Sequence, residues 1–114
     1  MAAMVTTLKE FSDTGNSRTF SLAAHSVAEP RLVIQKRTVP ATVDSVAEDS
    51  VKVVYGTNDT AGVALSSKVT FEISFRRPVK GDTADVASAL ALLREIVASD
   101  NYSSVVNSQQ WLQN

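Results

Sequence analysis

Chemistry needs particular side chains within reach of one another, and this chain supplies few of them. It holds one histidine, His25, and no cysteine. Without a second imidazole or any thiolate, no histidine–carboxylate metal cluster or thiol nucleophile can form. Acid–base work would rest on one residue with no nucleophile motif beside it. His25 therefore reads as a packing or surface residue. Gly56 and Gly62 bracket Thr57-Asn58-Asp59-Thr60-Ala61, but no Lys-Ser/Thr and helix follow them, so they make a flexible connection and not a phosphate loop. The carboxylates are scattered. No cofactor, no metal and no enzymatic activity are expected.

The positive signal is an alternation. From Lys68 to Arg76, Val69, Phe71, Ile73 and Phe75 alternate with Lys68, Thr70, Glu72, Ser74 and Arg76. This is the period of a strand with one apolar and one wet face. Lys52, Arg31, Gln35 and Arg37 on neighbouring strands extend the polar set. Lysine and arginine on such a face neutralise phosphates, while hydroxyl, amide and carboxylate groups read exposed base edges of single-stranded or looped RNA. The plainer reading is an ordinary solvated sheet face. Tyr55 and Trp111 read as packing residues, and Arg94-Glu95 as a solvated helix edge.

The elements that would position this face are short strands and then helices. Val5 to Phe11 opens as a strand, and Ser12-Asp13-Thr14-Gly15-Asn16-Ser17 is turn material leading to a return strand over Arg18 to Leu22. Ala23 to Glu29 is weak in pattern and reads as loop. Arg31 to Val39 is the next strand, with Leu32 and Ile34 on one face and Arg31, Val33, Gln35 and Arg37 on the other. Pro40 blocks its continuation, and the acidic stretch to Asp49 reads as an exposed connection. Ser50 to Tyr55 follows as a strand, and Val63 to Ser67 is a short strand or the return arm of the glycine loop. Beyond Pro78 and Gly81 the period changes. Asp82 is an N-cap with Asp85 three residues on, and Val86, Leu90, Leu93 and Val97 recur at helical spacing from Thr83 to Ala98. Ser104 to Leu112 forms a second, weaker helix.

With 114 residues, the chain suits a single domain over 1–114. No apolar run approaches the roughly 20 residues needed to span a bilayer, and Met1 to Met4 show no secretory signal. The formal net charge is −1, which alone argues against a nucleic-acid binder. The charge is nonetheless uneven: Arg31, Lys36 and Arg37 stand without an acid between Arg31 and Val39, and Lys68, Arg76, Arg77 and Lys80 face only Glu72. A near-zero total can hide a one-signed surface.

Strands followed by helices give an α+β layout. A 16-residue helix is about 24 Å long and 10 Å across, whereas five or six strands make a face nearly 30 Å wide, at about 4.8 Å per strand. One helix cannot cover that face, so an obligate symmetric homodimer is expected, with helices of one subunit over the sheet of the other.

The run Val69-Thr70-Phe71-Glu72-Ile73-Ser74-Phe75, a short linker, a helix over Asp82 to Ser99 and a second polar–apolar segment resemble the C-terminal half of the coat proteins of single-stranded RNA bacteriophages, the levivirus group. The Ser50-Val51-Lys52-Val53 strand and the Gly56 to Gly62 loop fit the same plan. The resemblance follows most of the chain in order of elements and is specific from about Ser50 to Val106. It implies an antiparallel sheet with an N-terminal hairpin and two C-terminal helices interlocked with those of a partner. It further implies dimers that build an icosahedral shell in the host bacterial cytoplasm, and an inner sheet face that binds genomic RNA, including a hairpin that represses translation. Carried over by position, RNA contacts fall on Ser50 and Lys52, on Lys68, Thr70 and Glu72, and on Gln35 and Arg37. The loop from Thr57 to Leu65 matches the one around the shell's symmetry axes. Two departures stand out: the chain is short for the family, with Ala23 to Pro30 weak as a strand, and Lys68 stands where the best-known hairpin binders have an aromatic. General RNA packaging is the safer expectation. The alternative is a cellular dimeric α+β binding module whose polar sheet face meets a protein or small ligand, with a small enzyme a distant third.

Overall fold

The computed structural model describes residues 4–113; Met1 to Ala3, part of the segment read for a signal, lies outside them. Five strands precede two helices: β1 (Lys9–Asp13), β2 (Ser17–Ser21), β3 (Arg31–Thr38), β4 (Val46–Tyr55), β5 (Val69–Pro78), α1 (Thr83–Ala98) and α2 (Asn101–Ser108). The strands form one sheet in chain order, each antiparallel to the next. Such a meander needs no crossover connection.

The first hairpin closes at Gly15, whose φ of +86° suits a residue without a side chain. The Asp13 carboxylate accepts the Gly15 N–H at 2.9 Å. The expected strand from Val5 begins only at Lys9, because β2 supplies a partner for no earlier residue. Ala23 to Glu29 forms no strand, as its weak pattern suggests.

β4 overturns one expectation. The acidic stretch read as a connection enters the sheet from Val46, because both neighbours offer it partners. Glu48 lies opposite Arg76, and its carboxylate accepts from Arg76 Nε at 3.0 Å. Asp49 lies opposite Arg37 and accepts from Gln35 Nε2 at 3.2 Å. Acids that look solvated in sequence are thus matched across strands by bases and amides.

The helical segment from Lys80 is a second compact unit, separate from the sheet unit that ends at Val79. The Asp82 carboxylate caps α1 by accepting the Ala84 N–H at 2.9 Å. Ser99 ends it, its hydroxyl donating to the Ile96 carbonyl at 2.7 Å. The second helix starts earlier than expected, at Asn101, and stops at Gln109, whose left-handed φ of 51° turns the chain away. Its tail is tied back where the Gln113 N–H donates to Asn101 Oδ1 at 2.8 Å. Among the described residues no helix is long and apolar enough to cross a membrane.

Neither unit encloses a core. Among the described residues no hydrophobic side chain is buried. Only Pro30 and Gly56 are buried there. Phe71, Ile73 and Phe75 on β5 are 43, 49 and 53% exposed, and Leu90, Leu93 and Val97 on α1 are 42, 37 and 44% exposed. Each unit thus presents an apolar surface of its own.

Candidate nucleic-acid interface

Residues directly opposite in an antiparallel pair point to the same side of the sheet, so the register sorts every side chain. Ser50 lies opposite Lys36 on one flank and Ser74 on the other, and Lys52 opposite Ile34 and Glu72. Thr70 lies opposite Val54, and Glu48 opposite Thr38 and Arg76. Continued through Lys36–Ser17 and Ile34–Thr19, this is a largely polar face. Lys68 precedes β5 by one residue and continues the alternation; its Nζ donates to the Ser66 carbonyl at 3.4 Å. Ser50, Lys52, Lys68, Thr70 and Glu72, all expected RNA contacts, therefore belong to one surface.

Gln35 and Arg37 do not. They lie opposite Val51 and Asp49 and so share the face of Val51, Val53, Phe71 and Phe75. Arg31 is there too, opposite Tyr55. The sequence reading placed all three on the polar face, and the pairing corrects it. β3 carries apolar residues on both sides, so its own alternation names no wet side, and shifting one residue exchanges the faces. The residue missed is Lys36, which stands beside Ser50. The signal was present in the alternation of Lys36 against Gln35 and Arg37, but only the register with β4 gives it a sign.

Around Lys52 the face dips into a shallow cleft of about 150 Å³ lined by Ile34, Lys36, Ser50, Lys52 and Glu72. It brings together two ammonium groups, a hydroxyl, a carboxylate and an apolar floor. Lys36 and Lys52 make no ion pair among the described residues, whereas Arg76 is held by Glu48. Charge alone does not choose this face. Over β3 to β5 with Lys68, the polar side has Lys36, Lys52, Lys68 and Arg76 against Glu48 and Glu72; the other side has Arg31, Arg37 and Arg77 against Asp49. Both sum to +2. The difference is what lies between the cations: hydroxyls and carboxylates on one side, Val, Ile and Phe on the other.

The remaining candidates resolve into structural roles. His25 Nδ1 accepts the Arg31 N–H at 3.0 Å, and its ring meets Phe11 edge-on at 5.4 Å. Arg31 donates to the Gly56 carbonyl at 2.8 Å, with its guanidinium 4.5 Å from the Tyr55 ring centre. The glycine loop, read as a flexible connection, is built. Asp59 Oδ1 accepts from the Ala61 and Val63 N–H groups, both at 2.9 Å, Asp59 N–H donates to Val63, and Leu65 N–H to Thr57. Its arms meet only at the Asn58–Ala64 bridge, so Val63 to Ser67 is the return arm and not a strand. No group of three or more histidine, cysteine or carboxylate residues able to hold a metal occurs among the described residues.

No protein-family model matches the chain, and no curated protein matches it. Solved structures do. The virus-like particle of Beihai levi-like virus 32 matches at a TM-score of 0.76 and 14% identity, over 98% of this chain and 92% of that one. That of Wenzhou levi-like virus 4 gives 0.77 and 11%, over 99% and 90%. The coat protein of bacteriophage EMS014 gives 0.63 and 18%, over 95% and 71%. Along nearly its whole length, this chain has the fold of the subunits of levi-like virus-like particles and of a bacteriophage coat protein.

Proposed function

We propose that the protein is a capsid subunit that assembles through homodimers into an icosahedral shell and packages single-stranded RNA against its polar sheet face. One observation carries the reading: a chain with the fold of particle-forming subunits buries none of its hydrophobic side chains among the described residues. A fold that leaves Phe71, Ile73, Phe75 and the Leu90–Leu93–Val97 stripe in water is completed by copies of itself. β5 adds a second handle. It is an edge strand of ten residues, Val69–Pro78, whose outer row of backbone groups suits pairing with another copy. The single domain is then the whole chain, finished by its partner.

With the apolar face covered, the polar face is left to meet RNA. Lys36, Lys52 and Lys68 serve phosphates, and Ser50, Thr70 and Glu72 offer hydroxyl and carboxylate groups to bases. This task asks for no catalysis, and it places the protein in the virion after assembly in the host bacterial cytoplasm. Expression in bacteria, followed by sedimentation, electron microscopy and the ratio of absorbance at 260 and 280 nm, tests the reading. Closed particles containing RNA are expected. A stable small dimer free of nucleic acid would overturn the capsid reading and favour a cellular binding module.

A further inference from the structure

At one end of the apolar sheet face, the segment before β1, at Met4, Thr6 and Leu8, walls off a hollow. Val33, Val53, Val69 and Phe71, with Tyr55 and Arg31, line this open hollow of about 580 Å³. The helical unit carries the converse feature. Trp111 is 91% exposed and Leu112 54% exposed, in a tail that is nevertheless held by the left-handed turn at Gln109 and the Gln113–Asn101 hydrogen bond. An exposed indole on a pre-shaped tail is ready to bind, because little conformational freedom remains to be lost. The tail from Gln109 to Gln113 has no charged residue, so it brings no ion of its own to be desolvated in the hollow. The Arg31 guanidinium beside the hollow offers a cation to a second aromatic face.

We propose that Trp111 of one copy inserts into the hollow between Tyr55 and Phe71 of a second copy and anchors the dimer. This rests on the capsid-subunit reading, and it names the residue that holds the two copies in register. An indole buries roughly 150–250 Å², and aromatic anchors in pockets dominate the energetics of interfaces.

Trp111 is the only tryptophan, so indole emission reports this contact alone. In the assembled protein we expect blue-shifted emission and acrylamide quenching several-fold weaker than in the unfolded chain. Val69→Lys, or Tyr55→Arg should that variant fail to fold, should return both to the values of hydrated indole. Trp111→Ala, at an exposed tail position, should leave the circular dichroism unchanged and raise the dimer dissociation constant by roughly thirtyfold or more.

Sedimentation of the same samples separates the outcomes. Hydrated indole within an assembled wild-type protein overturns the anchor and leaves the subunit reading standing. Hydrated indole in a wild-type monomer overturns both. A Trp111→Ala dimer as tight as wild type also overturns the anchor. Refolding Val69→Lys chains with an excess of Trp111→Ala chains identifies the occupant. Buried emission is expected, because the remaining indole then enters the intact hollow of the other copy. Emission that stays hydrated there puts the indole in its own chain's hollow and overturns the second-copy proposal.

Discussion

Lys52 and Lys36 show how a single position acquires a role. Both are lysines without an ion-pair partner among the described residues, and on the polar face Lys36 lies opposite Ser50 while Lys52 lies two residues along β4 from it. Removing one lysine–phosphate interaction should reduce the salt dependence of single-strand binding by about 0.7 in log–log slope. Lys52→Ala and Lys36→Ala should each lower the slope by about that much in titrations from low to high salt. Arg37→Ala should leave it unchanged, since Arg37 lies opposite Asp49 on the other face. An unchanged slope for both lysine variants would remove the cleft from the interface. Gly56 is constrained by space instead of charge. A Cβ there would come 2.7 Å from Pro30 Cδ and 3.0 Å from Glu29 Cα, where the Gly56 N–H already donates to the Pro30 carbonyl at 2.8 Å. Gly56→Ala should therefore destabilise the fold by about 1–3 kcal/mol, the usual range for overpacking. Equilibrium urea unfolding gives the number.

At the scale of elements, the loop between β4 and β5 illustrates how a glycine-containing segment gains shape. The Asp59 carboxylate gathers two N–H groups and the backbone adds three more bonds, while Gly62 takes a φ of +82° with open space around it. Asp59→Ala should free the loop and leave the sheet intact, because none of these bonds reaches β3, β4 or β5. The expected outcome is near-wild-type circular dichroism and dimer content, with particles altered in size or yield by electron microscopy. Wild-type particles would show that the loop's shape is irrelevant to assembly. The strands and helices themselves follow from period. Alternation predicts β5, and the spacing of Val86, Leu90, Leu93 and Val97 with the Asp82 cap predicts α1 at its observed limits, Thr83–Ala98. Less legible is β4, because Ala47, Glu48 and Asp49 look like solvated loop until Arg76 and Gln35 stand opposite. The second helix is displaced because it starts directly after α1, with Asp100 at its N-cap, and ends at a left-handed Gln109, and neither residue type demands that conformation.

For the whole molecule, the decisive quantity is the apolar surface that one copy cannot cover. On the proposed capsid reading, the half-exposed phenylalanines on the sheet and leucines on α1 are closed by another subunit, which would tie folding to association. Leu93→Asp should therefore abolish assembly and stable folding together, because it places a charge in the proposed contact. Analytical ultracentrifugation with circular dichroism checks this. A soluble, folded Leu93→Asp monomer would contradict helices that cover a partner's sheet. Stability should also rise with protein concentration in wild type, as mass action requires of a dimer that folds on association.

By itself, the sequence determined the α+β order, the limits of α1, the wet and apolar sides of β5, and the poverty of catalytic groups. Each of these depends on residues near one another in the chain, through period, capping or absence. Which face Gln35, Lys36 and Arg37 occupy was decided only by the tertiary structure, since strand pairing across more than ten residues of separation fixes the sign of an alternation that is locally symmetric. The tertiary structure likewise revealed that Trp111, of a type that ordinarily packs, stands uncovered. No local pattern reports whether an apolar side chain finds its cover within one chain or in the next copy.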